Sequence, residues 1–148
     1  MTEAPSISAD ERNWAMFANL SGLFIFAHIP FANVIAPLIV YLKVRSDRLN
    51  FALEHARNSL NFQITFSIFA FVFAIVWIAC VIGSIGQLIA LGDRTHDVGP
   101  PLAFFVTIFA WLAVWGCAVL VNVVLCILAA IAASSGRGFR YPAIPFVR

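Results

Sequence analysis

Charged residues divide the chain into three long uncharged blocks, residues 13–42, 58–92 and 98–136, which hold 30, 35 and 39 residues. A helix needs about 20 consecutive apolar residues to cross a bilayer, so each block is long enough to span. The second and third blocks have no proline after Pro101 and predict two long helices, tilted or projecting past the headgroups. We place them at 48–91, with its charged approach, and at 101–134, where Pro100-Pro101 suits a helix start.

The first block is interrupted. Pro30 and Pro37 lie inside it with Asn33 between them, and His28 sits just ahead. Proline in a helix interior removes a backbone hydrogen bond and clashes with the preceding turn, at about 3 kcal/mol or more. His28, Pro30, Asn33 and Pro37 therefore mark a helix break. The block folds either as a hairpin of two short helices, 11–28 and 31–43, or as one kinked span. Ser8 or Asp10 is placed to cap the first helix, and Ser46 or Asp47 the next one. His28 reads as a hydrogen-bonded structural residue rather than a pH-responsive one.

Composition fixes the solvent. Apolar residues make up 62% of the 148, charged residues 11%, and mean hydropathy is +0.95. A soluble domain of this size could not cover so much apolar surface with so few charges, so the bilayer is the partner the chain must have. A disordered chain, a disulfide-stapled secreted module and a nucleic-acid binder are excluded on the same ground. Lysine and arginine set the orientation. One lies in residues 1–13, four in 43–57, one in 93–97 and three in the tail. The positive-inside rule then places the 43–57 loop and the C-terminus in the cytoplasm of a multi-pass inner-membrane protein, while the N-terminus stays open. Residues 1–10 are read as a short N-terminal segment, 11–134 as the membrane domain and 135–148 as a basic tail along the cytoplasmic headgroups.

The segment that carries most polar chemistry runs from Glu54 to Thr65. At about 100° per residue, Glu54, Asn58, Asn61 and Thr65 fall within about 60° of one another. With His55 and Gln63 they make a polar stripe descending into an apolar helix. Unpaired amides facing lipid are costly, so the stripe should face another helix or a wet cavity. Interhelical packing is the plainer reading and a hydrophilic lining the sharper one. Small residues at Gly83-Ser84-Ile85-Gly86 and Ala129–Ala133 offer close helix contacts, and Trp111 and Trp115 share one helix face. Cys80, Cys117 and Cys126 lie in apolar blocks and read as core residues. Asp93, His96 and Asp97 read as a solvated turn, so no metal and no cofactor is expected. All seven carboxylates lie outside the long spans, and no phosphate loop, zinc-ligand spacing or nucleophilic triad is present, so an enzyme is not expected.

Asp10-Glu11-Arg12-Asn13-Trp14-Ala15-Met16, Ile29-Pro30-Phe31 with Pro37-Leu38-Ile39, Glu54-His55-Ala56 with Asn61-Phe62-Gln63, and Arg140-Tyr141-Pro142 occur in that order. Together they resemble domain-of-unknown-function family 4870, small bacterial membrane proteins related to the twenty-kilodalton Tic subunit of the chloroplast import translocon. The family's histidine after Trp14-Ala15-Met16 is Asn19 here. The resemblance implies a compact bundle of about four helices with both termini cytoplasmic, which favours the hairpin. It implies no catalytic residue. The expectation is a non-enzymatic subunit or organiser of a membrane assembly, with protein translocation or insertion as the specific task. It would act with other membrane proteins or with copies of itself. A small oligomeric channel or carrier, its inner mouth lined by the stripe, is the alternative.

Overall fold

The computed structural model describes residues 7–27, 31–92 and 102–147. Among these the fold is all-α: α1 (Ala9–Leu20), a 3-10 segment (Ser21–Ala27), α2 (Ala32–Ser46), α3 (Asn50–Gly92) and α4 (Leu102–Ser134). Ser8 caps α1 through a reciprocal box: its hydroxyl accepts from the Glu11 amide at 3.1 Å, and the Glu11 carboxylate accepts from the Ser8 amide at 3.3 Å.

The first uncharged block is a hairpin, with α2 packed back on α1 and on the 3-10 segment. His28 and Pro30 lie outside the described residues. The expected helix over 11–28 instead leaves α geometry at Leu20 and continues as the tighter 3-10 coil. Two hydroxyls converge where that change occurs, Ser21 Oγ and Ser59 Oγ donating to the Ala18 carbonyl at 2.7 and 2.9 Å. Pro37, expected as part of the break, lies buried inside α2, which continues through it to Ser46. Asn33 likewise belongs to the first turn of α2. The missing Pro37 N–H leaves only one backbone acceptor of that turn without its helical partner, which is a smaller disturbance than a chain reversal. The entry to α2 is set at Phe31, whose φ of 61° is left-handed.

Two similar stops shape the rest of the chain. After α2, the Leu49 amide bonds the Val44 carbonyl at 3.1 Å and the Arg48 amide bonds Arg45 at 3.4 Å, with Arg48 left-handed at φ 58°. After α4, the Arg137 amide bonds Ala132 at 2.9 Å and the Gly136 amide bonds Ala133 at 3.0 Å, with Gly136 at φ 69°. Both are Schellman caps. The second uses glycine where a side chain would be strained, and it turns the tail back along the bundle. Asp47, offered above as a cap for the next helix, instead pairs with Lys43 at 3.0 Å on the surface, a contact worth little.

The chain divides into two compact units, residues 1–68 with 122–148, and residues 69–121. In the first unit Ala15 and Ala18 of α1, Tyr41 and Val44 of α2, Ala52, Ala56 and Leu60 of α3, and Ala133 of α4 form one core. Five of the eight are alanine. Small side chains let helix backbones approach closely where lipid supplies no hydrophobic drive for association. Phe62, Ala129 and Tyr141 form a second cluster, with Phe62 and Tyr141 stacked at 4.6 Å.

The second unit takes in the C-terminal half of α3 and the N-terminal part of α4. Its surface carries Phe71, Val72, Ile75, Ile78, Phe109 and Leu120, all exposed. Inside it Phe73 stacks on Trp111 and Trp115, each at 6.3 Å. Gly83 and Gly86 have nothing within 4 Å of a would-be Cβ, so this pair makes no close helix contact, unlike the buried Ala129, Ala130 and Ala133. Residues Asn50–Gln87 and Phe104–Ser134 are long and apolar enough to cross a membrane. A helix with apolar residues exposed on every side is at rest only in an apolar solvent.

Candidate functional site

Helix α3 carries two polar lines, not one. Residues four apart stay on one helix face with a drift of about 40° per step. His55, Ser59, Gln63 and Ser67 follow that spacing and point into the first unit. Glu54, Asn58, Asn61 and Thr65 follow a neighbouring line, of which Asn58, Asn61 and Thr65 meet the C-terminal tail. The single stripe expected from sequence thus splits by target.

The inner line begins at His55, which is almost fully buried. Its Nδ1 lies 3.1 Å from Asn19 Nδ2, and its Nε2 lies 3.2 Å from the Arg137 carbonyl. An amide nitrogen can only donate and a carbonyl can only accept. The network therefore assigns His55 as the neutral tautomer with the proton on Nε2. Asn19 is the hub. Its Nδ2 shares its two protons among His55 and the carbonyls of Ala15 at 2.8 Å and Ala129 at 3.3 Å, and its Oδ1 accepts from the Tyr141 hydroxyl at 3.1 Å. One amide side chain joins α1, α3, α4 and the tail.

About two turns further along α3 stands Gln63. Its Oε1 accepts from Asn33 Nδ2 of α2 and from Asn122 Nδ2 of α4, both at 3.3 Å. Its Nε2 lies 3.5 Å from Cys126 Sγ, and that thiol lies 3.7 Å from Asn122 Oδ1. Asn33 Nδ2 also donates to Ser67 Oγ at 2.9 Å. Asn19, Ser59, Gln63 and Asn122 are each 0% exposed. Buried amides that find all these partners hold their helices in one register, because slipping any helix would strand several polar groups at once. Gly22 explains how Gln63 fits: a Cβ there would collide with Gln63 Nε2 and come within 3.0 Å of Cys126 Sγ.

The outer line reads tail backbone. Asn58 Nδ2 donates to the Phe139 carbonyl at 3.2 Å. Asn61 Oδ1 accepts from the amides of Phe146 at 3.0 Å and Val147 at 2.8 Å, while its Nδ2 donates to the Val147 carbonyl at 3.1 Å. Thr65 Oγ1 accepts from the Ile144 amide at 3.1 Å and donates to the Asn61 carbonyl at 2.8 Å. The tail, expected along the headgroups, is thus clasped to α3 by five hydrogen bonds from this line to its backbone, besides the one from His55 to Arg137. Tyr141 is its buried anchor, and burial pushes the phenol up from the ordinary tyrosine value. Glu54 is exposed and, among the described residues, forms no ion pair with Arg57.

Of the residues singled out from sequence, His55 and Gln63 belong to the inner network, Asn58, Asn61 and Thr65 to the clasp, and Glu54 to the rim. Asn33 joins the inner network from α2. Sequence reasoning missed Asn19, Ser59, Asn122 and Tyr141 as parts of the site. The four-residue recurrence of His55, Ser59, Gln63 and Ser67, and of Asn122 with Cys126, was the available signal. Among the described residues no three His, Cys, Asp or Glu side chains come together. The loop with Asp93, His96 and Asp97 lies outside the described residues.

Residues 10–147 match the model of the MamF/MmsF family, described as a magnetosome magnetite crystal formation protein family. No curated protein and no solved structure matches the chain. The family match overturns the resemblance to domain-of-unknown-function family 4870 and the Tic subunit. His55, Asn61, Phe62, Gln63 and Tyr141 were among the residues that carried that resemblance. They are the residues that hold the bundle and its tail together, so they report a scaffold rather than an activity.

Proposed function

The chain belongs to the magnetosome magnetite crystal formation family, and from that premise we propose that it is a non-enzymatic organiser of the magnetosome membrane that acts in magnetite crystal formation. The observation that carries the reading is the extent of the family match, residues 10–147, which takes in every described helix and the tail. The part it plays is structural. Its buried polar side chains serve its own backbone and one another, and its long apolar helices offer their surface to lipid and to neighbouring membrane proteins. Multi-pass insertion, with the 43–57 loop and the C-terminus on the cytoplasmic side, follows from the lysine and arginine distribution. The conduit alternative loses its main support, since the tail covers the stripe that would line it.

Deletion in a magnetite-forming bacterium tests the proposal, with crystal number and size read by electron microscopy and the tagged protein located in fractionated membranes. Altered crystals, restored by the intact chain, are expected. Normal crystals after deletion, or a protein found only outside the magnetosome membrane, would defeat it.

A further inference from the structure

Where α3 leaves its charged first turns, the tail folds over it and borders an open cavity of about 250 Å³. Two of the lining side chains, Asn58 and Asn61, are already engaged with the tail backbone. The charged groups are not engaged. Glu54, Arg57 and Arg140 line the same cavity, and among the described residues none of them makes an ion pair or a side-chain hydrogen bond. Pro145 and Val147 supply an apolar wall.

The level of this cavity along α3 limits what can fill it. Arg57 is the last charged residue before 35 uncharged ones, so the cavity stands where a spanning helix passes from water into hydrocarbon. Phosphates at that level belong to lipids. Guanidinium groups bind phosphate through paired N–H donors, a fit that lysine does not reproduce. A carboxylate in the same cavity repels a headgroup that is only anionic, and it offers an acceptor to one that also carries an ammonium.

We propose that this cavity holds the headgroup of a single phospholipid, with Arg57 and Arg140 taking the phosphate and Glu54 taking a primary ammonium. The site is independent of the part in crystal formation proposed above. It would fix the clasped tail against the bilayer surface, because one of its two cations lies on α3 and the other on the tail.

The test uses the full chain in detergent, with lipid retention measured by native mass spectrometry. Phosphatidylethanolamine, phosphatidylcholine and phosphatidylglycerol are offered in competition, and inorganic phosphate and phosphoethanolamine are added in separate arms. The wild type should retain phosphatidylethanolamine over the other two. R57Q together with R140Q should lower that retention on the order of tenfold or more, while E54Q should raise phosphatidylglycerol to at least parity. Hydrogen exchange at the Phe146 and Val147 amides checks that each variant is still folded and clasped. Unchanged retention in the double arginine variant would overturn the proposal. So would displacement of the lipid by an equal concentration of inorganic phosphate, which would make this a soluble phosphate site.

Discussion

Replacing Asn61 with leucine isolates the clasp between α3 and the tail. The native amide makes three hydrogen bonds to tail backbone, at 2.8, 3.0 and 3.1 Å, and all three vanish together in the variant. Leucine has a similar volume and suits an apolar helix, so α3 itself is not weakened. When the tail lifts, its amides and carbonyl return to water, so the net rather than the gross value of each bond applies, about 0.5–1.5 kcal/mol. Two of the bonds share one oxygen, so the set counts as two full bonds, roughly 1–3 kcal/mol. At about 1.4 kcal/mol per factor of ten, the open population of the tail should rise about 5- to 150-fold. Hydrogen exchange followed by mass spectrometry, on the full chain in detergent or nanodiscs, reads this rise directly at Phe146 and Val147. N61D keeps an acceptor oxygen and should leave both amides protected, whereas T65V should release only Ile144. Equal exchange at Phe146 and Val147 in the wild type and N61L would refute the clasp.

Three further outcomes follow from the inner network. Gly22→Ala drives a methyl into the amide end of the fully buried Gln63, which yields only by giving up its place against Cys126; a loss of about 1–3 kcal/mol is expected in thermal unfolding, with none from Gly83→Ala beyond noise. Gln63→Leu strands the Asn122 amide at about 1–3 kcal/mol and takes from Asn33 the weaker of its two acceptors, Ser67 remaining. Replacing both asparagines by leucine in that background should recover most of the loss, and a strictly additive triple variant would disprove the shared acceptor. Tyr141 gives a pH dependence: burial holds its phenol above the ordinary value of about 10. The undocked tyrosine therefore ionises first, so its contribution to docking is complete below about pH 10 and declines as pH rises further. Tail exchange, corrected for intrinsic rate, should accelerate above that pH in the wild type, and the acceleration should be absent in Tyr141→Phe.

Much of the architecture was legible because it depends on counts along the chain. Three uncharged blocks and two proline sites are local facts, and they predict two long helices after a broken pair. The family assignment was not legible in the same way. The ordered motif set drew attention to a different family because its residues serve a helical scaffold, and scaffolds recur without a common task.

What the sequence determined by itself was the solvent, the two long helices and the segment of α3 where polar groups concentrate. Each follows from composition or helical period, which act over a few turns. What only the tertiary structure decided was the partner of each polar group. Helical period places His55 and Asn58 about 60° apart, but it does not say that one meets Asn19 and the other meets Phe139. That choice rests on Gly136, whose left-handed backbone turns the tail back onto α3, and on Gly22, whose missing side chain leaves room for Gln63. The contacts that follow join residues up to 122 positions apart, as Tyr141 and Asn19 are, and no local pattern in the chain carries that information.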